Sequence, residues 1–234
     1  MGSSYQDADE RGQRKMAFAR AIEEGAVQPI PQNGYRLVVA DPPWTYNLRE
    51  LDRSHRGRTN YPTMTDDDIL SLINGVASED AYFLLWVTNN HMKLGLECLA
   101  NWGFKLRSIH TWVKTTKQLG ANKLHIGLGH YGRSCTEHFL VGSRGKVKAW
   151  STMGLTNIPN VIFAPRREHS RKPEEFFVTA DRLRLALGGE AIELFARQQR
   201  PGWDCWGAEV ETSLGKVQHN HKKAIAILDR SLLL

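Results

Sequence analysis

From Tyr35 onward, short apolar runs alternate with longer amphipathic stretches. Leu37-Val38-Val39-Ala40, the body of a run over Tyr35–Ala40, is continuous and β-branched, so it reads as a strand buried on both faces. Ala81–Val87 has the same character. Phe104–Val113, Glu137–Gly142, Asn160–Phe163 and Ala191–Phe195 follow as strands, and Trp203–Gly207 as a strand at a sheet edge. A helix is predicted after Thr65, which caps it, with Asp66, Asp67 and Asp68 in the first turn and Ile69, Leu70, Leu72 and Ile73 turned inward. Another, from about Asn90, is predicted to bury Met92, Leu96 and Leu99 and to end near Gly103. A third opens at Lys172-Pro173-Glu174-Glu175, with proline in the first helical position, and stops at Gly188-Gly189. Alternating strands and helices predict an α/β fold: a mostly parallel sheet with helices on both faces.

Residues 1–34 read as an N-terminal extension and connector, with a weak helix over Arg11–Glu24. Residues 35–210 form the domain expected to do the chemistry, and 211–234 a basic tail. Residues 45–63 and 115–133 lack periodicity; loops this long in a compact domain are commonly functional lids.

A net charge of +6 and a pI near 9.3 favour a polyanionic partner. No apolar stretch approaches the roughly 20 residues that span a bilayer, so no membrane is expected. Cys98, Cys135 and Cys205 are far apart and form no Cys-x-x-Cys, which reads as reduced, intracellular and without metal.

The first strand ends in Asp41-Pro42-Pro43-Trp44. Ligands of open α/β sheets bind beyond the carboxyl ends of the strands, where this acid is delivered. Consecutive prolines remove N–H donors and fix φ, leaving a rigid turn that offers acceptors. Trp44 is expected to add a flat apolar face. Acceptors for an exocyclic amine beside an indole for stacking suit a planar base.

A set of segments, in order, resembles one family. They are Asp41-Pro42-Pro43-Trp44; Asn60-Tyr61-Pro62-Thr63-Met64-Thr65; Leu85-Trp86-Val87-Thr88 with Trp112-Val113-Lys114-Thr115; and His169-Ser170-Arg171-Lys172-Pro173-Glu174-Glu175 leading to Glu193-Leu194-Phe195-Ala196-Arg197. The family is that of the catalytic subunit of the eukaryotic messenger-RNA N6-adenosine methyltransferase with its bacterial and phage relatives. The likeness spans roughly residues 35–210 and is greatest to compact prokaryotic or phage-type members, which often act on DNA.

The resemblance implies a Rossmann-like fold that uses S-adenosylmethionine (SAM), with a permuted motif order in which the acceptor-site acid precedes the cofactor strand. It implies methyl transfer to the N6 amine of adenine in nucleic acid, DNA favoured over RNA, by an intracellular enzyme working as a homodimer or with a related subunit. The alternative is a non-catalytic nucleic-acid-binding partner subunit, against which the intact acidic turn argues. By the same likeness Asp41, Pro42, Pro43 and Trp44 surround the target adenine. Asp41, Ser170, Lys172, Phe195, Arg197, Gln199, Trp206, Gly207 and Glu209 surround the cofactor. Glu193 and Glu209 are both candidates for the ribose hydroxyls, and Lys172 for a carboxylate. Nucleic-acid contacts are expected from Tyr46, Arg49, Arg53, Arg56, Arg58 and Tyr61 in the first loop and Lys114, Lys117, Lys123 and Arg133 around the second. The chain departs from the family at Phe195-Ala196-Arg197, where some relatives have a glycine-rich turn, at Gln199-Arg200, where the eukaryotic enzymes have His-Asn, and at Ala208, where many have Asn.

Overall fold

The computed structural model describes residues 30–44, 66–72, 75–116, 123–127, 129, 131–167, 171–207 and 210. Its elements are β1 (Tyr35–Ala40), α1 (Asp66–Leu72), β2 (Ala77–Val87), α2 (Met92–Asn101), β3 (Lys105–Thr115), β4 (Thr136–Arg144), β5 (Val161–Pro165), α3 (Glu174–Ala186), β6 (Ala191–Leu194) and β7 (Asp204–Trp206). Short 3-10 turns occupy Asn89–His91 and Ser151–Met153.

The strands form one seven-stranded sheet in the order β5-β3-β4-β2-β1-β6-β7. Among the described strands, only β4 runs against its neighbours; the other strand pairings are parallel. The fold is therefore the mixed, mostly parallel α/β sheet expected. Alternation along the strands divides the core in two. Val38, Phe83, Leu85, Leu140 and Ile192 pack with Ile69 of α1 and Cys98 and Leu99 of α2. Leu37, Val39, Leu84, Phe139 and Val141 face the other way, toward Phe176, Ala180 and Leu183 of α3. A strand buried on both faces has no polar side to show, which is why β1 and the second half of β2 read as unbroken apolar runs.

Two helix details differ from expectation. Leu96 is 36% exposed, and α2 instead turns Gly95, Cys98 and Leu99 inward. A Cβ on Gly95 would lie 2.4 Å from Val87 Cγ1, so the helix approaches β2 through a gap that only glycine leaves. Pro173 is the N-cap of α3, with ψ 146°, rather than its first helical residue. The predicted N-terminal helix, the loop at 45–63 and the tail lie outside the described residues. The base of the second loop is paired rather than irregular: Thr115 bridges Leu124, and the Thr116 N–H donates to the Lys123 carbonyl.

Candidate active site

The carboxyl ends of β1, β2, β3, β6 and β7 and the amino end of β4 share one sheet edge, because β4 alone is reversed. Asp41 follows β1 there, Thr88 follows β2, Glu137 opens β4, Phe195 follows β6 and Gly207 follows β7.

The turn after β1 closes on itself: the Trp44 N–H donates to the Pro42 carbonyl at 2.8 Å, an i to i+2 bond. That carbonyl keeps its second lone pair. Trp44 departs from the expected open face. It is 4% exposed, its indole N–H donates to the Trp86 carbonyl at 3.1 Å, and its ring stacks on His91 at 5.5 Å and 14°. The indole thus pins the acidic turn to the end of β2. The Nδ1 of His91 lies 2.8 Å from Thr88 Oγ1, which fixes the ring beneath the indole.

Behind Asp41 runs a chain of opposite charges. Lys172 Nζ lies 2.8 Å from Asp41 Oδ2 and 3.0 Å from Glu137 Oε2, and Lys114 Nζ lies 2.5 Å from Glu137 Oε1. The Lys172 ammonium also sits 5.1 Å from the centre of the Trp86 ring, and that of Lys114 5.1 Å from Trp112. Burial pushes the Asp41 carboxyl up from its ordinary value, with Lys172 opposing. Burial would also raise Glu137, but its two lysines outweigh that and hold it near 2. Burial disfavours the Lys172 ammonium, yet Asp41 and Glu137 together hold its pKa above the ordinary lysine value. Lys172, expected to meet a ligand carboxylate, pairs here with two side-chain carboxylates, Asp41 and Glu137. Lys114, expected to meet phosphate, pairs with Glu137, and its side chain is 16% exposed.

Beside this chain, Glu193 of β6 has its Oε2 buried without a hydrogen-bond partner. Burial, with Asp41 and Glu174 adding to it against Arg200, raises its carboxyl to about 7. Arg200 Nε lies 3.5 Å from that oxygen, its Nη1 3.0 Å from Glu174, and its guanidinium carbon 3.2 Å from the centre of the Phe177 ring. Phe195 turns off β6 with φ +60°, a left-handed conformation that few side chains other than glycine and asparagine adopt readily. A Cβ on Gly207 would lie 2.3 Å from the Ala196 carbonyl oxygen, so β7 leaves the sheet against this turn. Arg197 is half-buried and its charge acts on Asp41; Gln199 is exposed. The Trp206 ring is fully buried and meets Phe195 edge-on at 5.4 Å.

The chain matches the MT-A70 family over residues 35–209, the stretch that builds this edge. It belongs to the MT-A70 family. It is 35% identical over 179 residues to the human N(6)-adenosine-methyltransferase catalytic subunit METTL3, covering 76% of this chain and 28% of that protein. The Arabidopsis thaliana N(6)-adenosine-methyltransferase MT-A70-like protein is 35% identical over 171 residues, covering 72% of this chain and 23% of its own length. The Mycoplasma Type II methyltransferase M.MunI is 27% identical over 199 residues, covering 77% of this chain and 80% of its own length. The chain thus spans little more than a quarter of METTL3.

Within this MT-A70 site, the fold brings Asp41, Pro42, Pro43, Trp44, Lys172, Phe195, Arg197, Trp206 and Gly207 to one edge. Lys123 and Arg133 are exposed around the second loop, where the Arg133 Nε donates to the Gly127 carbonyl at 2.6 Å. Tyr46, Arg49, Arg53, Arg56, Arg58, Tyr61, Lys117, Ser170 and Glu209 lie outside the described residues. Glu137 and His91 were missed. Their only signals are an acid opening an apolar strand and a histidine two residues beyond Asn89 in a helix start. Tyr131, fully exposed beside Arg133, was missed as well. Among the described residues, no group of histidine, cysteine and acidic side chains is placed to hold a metal, and no helix is long and apolar enough to cross a membrane.

Proposed function

We propose that this chain transfers a methyl group from SAM to the exocyclic N6 amine of adenine in nucleic acid, DNA in preference to RNA. The observation that carries the reading is Asp41, held at the sheet edge by buried Lys172 and by a turn pinned through Trp44. Its preference for DNA draws on the likeness to compact prokaryotic members, M.MunI being matched along 80% of its length.

The residues present suit the cofactor. Glu193 offers a buried carboxylate oxygen that makes no hydrogen bond among the described residues and meets the Arg200 Nε only at 3.5 Å, a fit for a ribose hydroxyl. The Phe195 turn and the close approach of Gly207 to Ala196 bring bare backbone to the same edge. When bound, SAM supplies an electrophilic methyl on a sulfonium. The chain's own groups do the rest. Asp41 and the free lone pair of the Pro42 carbonyl accept the amine hydrogens, drawing the nitrogen lone pair out of the ring. The positive charge that then develops on nitrogen faces the Asp41 carboxylate in a site with little water. The Lys172 ammonium favours the ionised form of Asp41 and fixes its orientation, and Glu137 with Lys114 fixes Lys172. Asp41 need not be a strong base, because the product ammonium is itself acidic. A duplex target must leave the stack first, at a cost of a few kcal/mol. Exposed Tyr131 with Lys123 and Arg133 gives the second loop a ring and cations for a strand to meet. The assembly we infer is a homodimer or a pair with a related subunit.

Titration calorimetry with SAM, on the full chain and on Glu193→Ala, tests the cofactor half of the reading. Binding by the wild type that weakens in the variant is expected; no binding by either defeats it.

A further inference from the structure

A second concavity lies on the α3 face of the sheet, toward the strand ends opposite Asp41. Its floor is the first half of β2 and the facing parts of β3 and β4, with Tyr82, His110 and Val141; its roof is the segment 147–160. It encloses about 680 Å³, within the roughly 300–1,000 Å³ of small-molecule sites. The roof is built rather than loose. The Met153 and Leu155 N–H groups both donate to the Trp150 carbonyl, at 3.0 and 2.9 Å, and Met153 and Leu155 pack on the core. The hydroxyl of Tyr82 donates to the Lys148 carbonyl at 2.8 Å, tying floor to roof.

We propose that this cavity binds a nucleoside monophosphate, its ring against Trp150, its base edge on His110 and its phosphate on Arg107. Among the described residues, Arg107 is the single charged one that lines the cavity, and no acid lines it. Its Nε donates to Ser143 Oγ at 2.7 Å, which orients the guanidinium; its other N–H groups have no acceptor among the described residues. His110 is 5% exposed and lines the cavity without a hydrogen-bond partner among the described residues. Burial lowers its pKa to about 4, so at neutral pH it offers one donor and one acceptor, the alternation a base edge presents. The rings are already arrayed: His110 stacks on Phe139 at 4.7 Å, and Trp150 lies 5.6 Å from His110 and 6.2 Å from Tyr82. The Trp150 indole N–H is buried without an acceptor. A purely apolar ligand would leave Arg107 and His110 unserved, and a bare phosphate would leave the rings unused.

The site does not rest on the reading of the Asp41 edge. The probe is thymidine monophosphate, which lacks an exocyclic amine, followed by saturation-transfer NMR titration on the full chain saturated with S-adenosylhomocysteine. Arg107→Glu changes an exposed side chain and is expected to weaken binding by roughly tenfold or more, while Asp41→Asn leaves it unchanged. A short oligothymidylate in a second arm separates the sources. Dependence on Arg107 with the free nucleotide assigns a small-molecule site; dependence with the oligonucleotide alone assigns a nucleotide within a strand, and the site stands in either case. Equal binding of both probes by wild type and Arg107→Glu, or no binding of either, overturns the proposal.

Discussion

The ammonium of Lys172 lies 2.8 Å from the carboxylate of Asp41, although a span of 131 residues separates the two along the chain (172 − 41). The side chain of Lys172 is 10% exposed and that of Asp41 24%, so both charges are largely withdrawn from bulk water. Removing one member strands the others. Lys172→Met is expected to cost about 3–5 kcal/mol, because Asp41 and Glu137 are then left facing each other. Turnover should fall by about a hundredfold or more. Urea denaturation beside a methyl-transfer assay checks both. Lys172→Arg should recover stability better than turnover, since a planar fork cannot place its charge where an ammonium does.

Glu137 sets the acid limb. Its carboxyl sits near 2 rather than 4.5. A carboxylate depressed in the fold adds stability that is complete above its unfolded pKa and is lost as pH falls toward the folded one. Wild type should therefore lose about 2–3 kcal/mol between roughly pH 4.5 and 2 through this group. Glu137→Gln should be less stable at pH 7 and lack that share of the slope, the two curves converging near pH 2. Denaturant midpoints across pH read this out; parallel curves would refute it.

Glu193 works in the opposite sense. Its carboxyl is raised from 4.5 to about 7. A raised group contributes stability that is full below the unfolded pKa and is lost as pH rises to the folded one. The window runs from about pH 4.5 to about pH 7. Glu193→Gln should flatten stability over that range and be the more stable protein at pH 8, by on the order of 1–3 kcal/mol. The same titration series decides it.

Trp44→Phe keeps a ring on His91 but removes the donor to the Trp86 carbonyl. The expected loss is about 1–3 kcal/mol, with turnover reduced more than SAM affinity because the acidic turn is loosened. Trp44→Ala should cost more, about 3–5 kcal/mol, through the lost ring. If the Phe variant turned over like wild type, the indole bond would have no part in holding the turn.

The strands were legible because β1, β2 and β6 are buried on both faces and so carry no polar alternation. The Asp41 turn was legible because an acid and two prolines interrupt such a run. The phase of α2 was not: Leu96 fits an apolar stripe, but the close approach allowed at Gly95 rotates the helix away from it. Trp44 reads the same whether it stacks on a ligand or on a neighbour, and only the fold shows His91 beneath it. The ion chain was hidden for a topological reason. Lys114 ends β3, Glu137 opens antiparallel β4 and Lys172 precedes α3, so only the reversal of β4 brings them together. Lys172 could be singled out beforehand as a cation before a helix start that wants an anion, though not which anions it finds.

Nucleoside mass spectrometry reads adenine methylation by this chain directly. Purified chain and SAM are incubated with unmethylated duplex DNA, single-stranded DNA and RNA, beside Asp41→Asn. N6-methyladenine is expected in DNA with the wild type and is expected to be lost with Asp41→Asn. N6-methyladenine formed equally by both proteins, or no methylated base in any polymer by a chain that binds SAM, would contradict it.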